Sequence, residues 1–219
     1  MRRPNLQSNP APSPPMDPQR RTAAIYHLEQ AMSLDPAYAD PRYHLGKILL
    51  SDGRESEAAK CLQEAVNLAI ASAEQAGQQA VDLSEGHRFA QSKQSLLKAR
   101  EQQRLAARAA VMLAQLRQST GRDEEAVALL STAVVCDPAH IEAHYLLGRY
   151  RQKEGDLPEA RRLLEACVGA DYAHGQAHIA LAQVITDEDQ EHLARNHYFT
   201  ALDLDATLAT PELEERFGD

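Results

Sequence analysis

Apolar side chains recur along this chain at intervals of three and four residues, the spacing of a helix face rather than the alternation of a strand. Helix-favouring Ala, Leu, Gln and Glu fill these stretches, and β-branched runs are nearly absent. Two kinds of break divide them. One is a polar turn holding a glycine: SDGR around Gly53, STGR around Gly121 and KEGD around Gly155. Glycine there supplies the backbone conformation that ends a helix. The other is LDPAY or CDPAH, where Pro36 and Pro138 disfavour α geometry at the residue before them. The pattern predicts a series of antiparallel helical hairpins.

The pattern also repeats. Leu113, Ala114, Gly121, Ala126, Leu130 and Ala133 fall 34 residues before Leu147, Gly148, Gly155, Ala160, Leu164 and Cys167. One step of 34 onward gives Leu181, Ala182, Ala194, Tyr198 and Ala201. Two steps back give Leu45, Gly46, Gly53, Ala58, Leu62 and Ala65, and one more leaves a second half only: Ala24, Leu28, Ala31 and Pro36. The small residues let paired helices approach closely, and the large ones fill the gap between neighbouring hairpins. No hairpin of this kind buries its apolar face alone, so neighbours stack into a solenoid.

The period, the small positions and the closing Asp-Pro resemble the tetratricopeptide repeat (TPR) family. The resemblance implies an all-α TPR-type solenoid of antiparallel helix hairpins, a right-handed superhelix whose first helices line a concave groove. It organises the chain as a Pro-rich extended arm (1–19), a solenoid (20–208) and a short C-terminal cap (209–219). Within the solenoid lie a half repeat (20–38) and repeats 39–72, 73–106, 107–140, 141–174 and 175–208. The copy at 73–106 is degenerate: it keeps Leu96 and Ala99 but has no turn glycine and no closing proline. Long helices are expected there, one from Glu57 towards Leu83 and one from Phe89 to Arg117, and the groove should bend, widen or split. In the last copy Asp189 stands where the turn glycine is expected. Thr210-Pro211-Glu212 then reads as a helix start with Thr as N-cap, presenting Leu213 and Phe217 to the last repeat.

Composition and charge narrow the function. The 219 residues carry a net charge of −9, which argues against nucleic acid or anionic lipid as the main partner. Charge is uneven, however. Arg88 to Arg108 holds six Lys or Arg against Glu101, whereas Asp187 to Asp219 holds ten acids against Arg195 and Arg216. Such halves could meet head to tail in a self-associating scaffold. Lys93, Arg100, Arg104 and Arg108 share one helix stripe, which suits an acidic protein segment or, as an alternative, nucleic acid. Six of the eleven prolines precede Gln19, so the arm should be extended, either as a leader or as a docking segment. Cys61, Cys136 and Cys167 form no CxxC pair, and no apolar run is long enough to span a bilayer; a cytoplasmic protein is expected.

Catalytic signatures are missing. There is no P-loop, GxGxxG or GxSxG, and no enzyme activity, cofactor or metal is expected. His140/His144 and His174/His178 are i,i+4 pairs one repeat apart, the spacing of a metal pair. Their places at a repeat boundary and at a packing position favour structural roles instead. By the resemblance, the groove would present Asp40, Tyr43, His44 and Lys47, then Arg108, Val111, Met112 and Gln115. Glu142, Tyr145, Leu146 and Arg149 would follow, then Gln176, Ile179, Ala180 and Gln183. Tyr43, His44, Lys47, Arg108, Met112, Gln115, Tyr145, Arg149 and Gln183 are the candidate contacts for a partner protein, with the basic stripe as a second surface. The carboxylate clamp of chaperone-binding TPRs would fall on Tyr43, Lys47, Met112, Glu142 and Leu146, where only a stray Lys survives, so a co-chaperone role is disfavoured. A scaffold or adaptor within a larger assembly is the expected function.

Overall fold

A computed structural model describes residues 17–186 and 190–218. Ten α-helices follow one another among them: α1 (Pro18–Leu34), α2 (Ala39–Ser51), α3 (Glu55–Glu85), α4 (Phe89–Ser119), α5 (Asp123–Cys136), α6 (Ile141–Glu154), α7 (Leu157–Ala170), α8 (Gly175–Val184), α9 (Glu191–Leu204) and α10 (Pro211–Phe217). No strand occurs among the described residues. Consecutive helices pair, giving the all-α solenoid of hairpins that the period predicts. Arm residues 1–16 and Asp189 lie outside the described residues. Asp17 caps α1 and Pro18 opens it, so the helix starts two residues before the expected boundary.

Each break has a local cause. Gly53, Gly121 and Gly155 all sit at positive φ, where an L side chain is strained. Leaving the second helix of a repeat, the side chains of Asp35, Asp137, Asp171 and Asp205 each accept a bond from the amide two residues on. These aspartates are themselves multiples of 34 residues apart, and Asp171 and Asp205 turn the chain without a following proline.

The same register explains the degenerate copy. It would place a fourth glycine at His87 and two further aspartates at Ala69 and Gln103. His87 keeps the turn, with φ of 58°. Ala69 and Gln103 break nothing, so the helices run through them. As a result α3 and α4 reach 31 residues each, against 14 for α5, α6 and α7. The copy at 73–106 is thus no separate layer: it projects from the stack as the outer part of an α3/α4 hairpin. Small side chains seal it, with Ala73, Ala76 and Ala80 facing Ser92, Ser95 and Ala99. The Ser92 hydroxyl donates to the Ala80 carbonyl at 2.7 Å.

Packing within and between repeats uses the predicted positions. A Cβ on Gly46 would lie 2.8 Å from Leu62, and one on Gly148 would lie 2.9 Å from Leu164, so these glycines set the helix–helix distance. Leu45, Leu113, Leu147 and Leu181 are buried. At the far end, Leu213 and Phe217 of α10 bury against Ile179, Ala182 and Tyr198. Arg216 donates to the carbonyls of Ala182 and Ile185 at the end of α8, satisfying groups the helix leaves open. The N-cap at Thr210 differs from expectation. Its hydroxyl is buried without a hydrogen-bond partner, and Pro211 with the first-turn acids Glu212 and Glu214 supplies the helix start.

Candidate functional site

Ejecting the degenerate copy closes the groove rather than splitting it. With residues 73–106 out of the stack, α2 lies directly beside α4. The Arg108 guanidinium sits 5.3 Å above the Tyr43 ring, and the Lys47 ammonium lies 5.7 Å from the same ring. Tyr43 itself is only 7 % exposed, so it supports two cations and does not reach outward as an anchor. His44 is exposed and edge-on to that ring at 5.2 Å. It and Lys47 also line a cleft of about 440 Å³ with Ala24, His27, Leu28 and Ile48.

The lane continues across the other first helices. Met112 is half-buried against the core. Gln115 donates to the Glu142 carboxylate at 3.3 Å, linking α4 to α6. Arg149 donates to the Gln183 side-chain oxygen at 3.1 Å and to Gln152 at 2.9 Å, linking α6 to α8. Tyr145 stacks on His174, ring centres 4.7 Å apart. Burial raises its phenol above the usual value against the opposing pull of Arg149. Ile179 and Ala180 are buried, so α8 offers only Gln176 and Gln183 to the lane. The candidate contacts therefore fall into three linked groups on four helices, cationic at the α2/α4 end and polar towards α8.

The second stripe divides. Arg104 and Arg108 line a cleft of about 550 Å³ with Glu101, Asp137, His140, Ile141 and Glu142. Arg100 faces a separate notch of about 440 Å³ between α3, α4 and the end of α5, and Lys93 lies further out on the projecting hairpin. Arg108 thus belongs to both surfaces.

The histidines take the structural roles. His140 and His174 accept the Ala143 and Ala177 amides through Nδ1, capping α6 and α8. His144 and His178 are buried. His178 Nε2–H donates to the Tyr172 carbonyl at 3.0 Å, leaving its Nδ1 to accept from His197 Nδ1 at 2.8 Å. Burial holds both rings below the ordinary histidine value. No cluster of three metal-ligating side chains occurs among the described residues. Cys167 is fully buried and its thiol is pushed up to about 12, which removes it as a nucleophile at neutral pH. The His178–His197 contact and the Tyr145–His174 stack escaped the sequence, since their partners come from different repeats at unrelated offsets.

Comparison with known proteins places this architecture. Two family models described as tetratricopeptide repeat match residues 16–77 and 78–141, which together span more than half of the chain. A third, the second ARM domain of tetratricopeptide repeat protein 21, matches residues 115–189. No curated protein matches the sequence. Among solved structures, a crystal structure of MamA superposes with a TM-score of 0.58 at 15 % identity, covering 86 % of this chain and 91 % of that one. MamA AMB-1 gives 0.52 at 20 % identity, covering 86 % and 92 %. MamA MSR-1 gives 0.51 at 18 %, covering 87 % and 90 %. At such identity the likeness is one of fold. The 34-residue register, the hairpin stack and the matched models agree, and the chain belongs to the tetratricopeptide repeat family.

Proposed function

We propose that this protein is a non-enzymatic interaction scaffold that holds a segment of a partner protein along the lane formed by α2, α4, α6 and α8. The observation that carries this reading is the doubly cationic Tyr43 platform, continued by Gln115–Glu142 and Arg149–Gln183. Exposed Lys47 and Arg108 favour an acidic side chain at one end, while Tyr145, Gln183 and Arg149 suit main-chain and apolar contacts towards the other. Such a scaffold fits an adaptor, an assembly factor or a subunit of a larger complex in the cytoplasm. No described helix is long and apolar enough to cross a membrane.

The test is affinity capture of the tagged protein from cells that make it, beside a folded Tyr145→Ala/Arg149→Glu variant, with mass spectrometry of what each retains. A partner held by the wild type and lost by the variant supports the lane. A partner retained equally by both removes it from this surface.

A further inference from the structure

The projecting hairpin leaves an apolar face bare. Leu96 occupies the repeat position of Leu62, Leu130 and Leu164, which are 0 %, 1 % and 0 % exposed, yet Leu96 is 48 % exposed. The cause lies in the chain path. In the regular copies the next first helix folds back over this leucine, whereas here that helix runs straight on as the inner half of α4. Ile70, Gly77 and Val81 on α3 and Phe89, Leu96 and Gln103 on α4 share this face by helical spacing, with the seam residues Ala73 and Ala99 at its floor. At its base the face meets exposed Val135 and half-buried Cys136, where α5 stops covering it. The opposite face of the hairpin is mixed: Leu97 is exposed there among Gln79, Gln91, Gln94, Lys98 and Glu101.

We propose that this face is the seat of a second copy of the chain, hairpin packing on hairpin about a two-fold axis into a four-helix bundle. What Leu96 lacks is a first helix, and the outer half of α3 is one. Two copies related by a two-fold therefore supply each other with the missing layer. Charge agrees with this occupant. The α4 edge of the face carries Lys93, Arg100 and Arg104, and the α3 edge carries Glu74 and Glu85, all exposed. None of the five makes an ion pair among the described residues, although Arg42, Arg54, Arg117, Arg151, Arg161 and Arg162 each do. A two-fold axis running along the hairpin lays each basic edge along the other copy's acidic edge, which fixes the axis of the proposed pair. Gly77 has open space where a Cβ would stand, which lets a partner helix approach closely. The helical rise makes the projecting face about 20 Å long, and two helices make it about 20 Å wide. Burying it on both copies removes about 800 Å² of surface, below the size of a permanent interface, so the dimer should be weak and form only as concentration rises.

The experiment is sedimentation velocity of the full chain from 1 to about 200 µM. The expected result is a rise from the 24.2 kDa monomer to twice that mass with concentration. Leu96→Glu and, separately, Val81→Glu place a charge on exposed positions, so circular dichroism should be unchanged while dimerisation weakens at least tenfold. Arg100→Glu alone and Glu74→Arg alone each set like charges together and weaken it, and the double variant recovers it. A wild type monomeric throughout the range overturns the proposal, as does a dimer indifferent to Leu96→Glu and Val81→Glu. A double variant no tighter than either single overturns it as well.

Discussion

The close approach of α6 and α7 gives a quantitative test of how this solenoid is packed. A methyl added at Gly148 would lie 2.9 Å from Leu164 Cγ and 3.1 Å from Cδ2. Leu164 is fully buried and has no solvent to swing into. Forcing extra volume into such a site costs about 1–3 kcal/mol. Alanine's better helix propensity returns about 1 kcal/mol. Gly148→Ala should therefore destabilise by about 1 kcal/mol. Leu164→Ala removes the obstructing atoms and leaves a cavity, costing about 2–5 kcal/mol. In the double variant the new methyl enters that cavity, so the combined loss should fall short of the sum by at least about 1 kcal/mol. Urea unfolding followed by circular dichroism measures all three. Additivity within about 0.5 kcal/mol would refute the reasoning, and so would a stabilised Gly148→Ala. Gly169→Ala in α7 is the control: nothing lies within 4 Å of the added atom, and the same assay should report a gain of up to about 1 kcal/mol.

His140, His178 and His197 are each held below the ordinary value of 6.5, chiefly by burial, so the unfolded chain binds their protons more readily. Stability should be full above about pH 6.5 and decline as pH falls through that value; a urea midpoint that rises between pH 7.5 and 5.5 contradicts this. Gly155→Ala, at φ of 84°, should cost about 1–2 kcal/mol in urea unfolding, and no loss would mean the turn relaxes. Phe217→Ala should release α10. Because repeats touch only their neighbours, faster amide exchange is expected in α8 and α9 with α2 to α5 unchanged; uniform acceleration would argue against so local a linkage.

Much of the fold was legible because a few residues punctuate it. Gly53, Gly121 and Gly155 mark positive-φ turns, Pro36 and Pro138 mark helix ends, and the run from Phe89 without a breaker becomes one helix as expected. The aspartate register was harder to see, since Asp171 and Asp205 act through a side-chain bond with no proline to signal it. The fate of the degenerate copy was not legible at all. Losing breaks at Ala69 and Gln103 predicts longer helices, but whether they fold back or run on depends on packing between α2 and α4. The candidate site was read at the level of positions. That Tyr43 lies beneath Lys47 and Arg108 needed three side chains from two helices, brought together by the expulsion of the repeat between them.

Because α4 is unbroken from the lane to the hairpin tip, it is also a lever. Arg108 sits 19 residues from Phe89 on one helix, about 28 Å along its axis. A partner that tilts this helix by about 5° at Arg108 displaces the tip by about 2.5 Å, half the rise of one helical turn. Stacked repeats would divide such a tilt among several loops, each free to absorb part of it. A single helix has no loop between the lane and the hairpin tip, so only the bending of α4 itself and its packing on α3 stand between a tilt in the lane and a displacement at the tip.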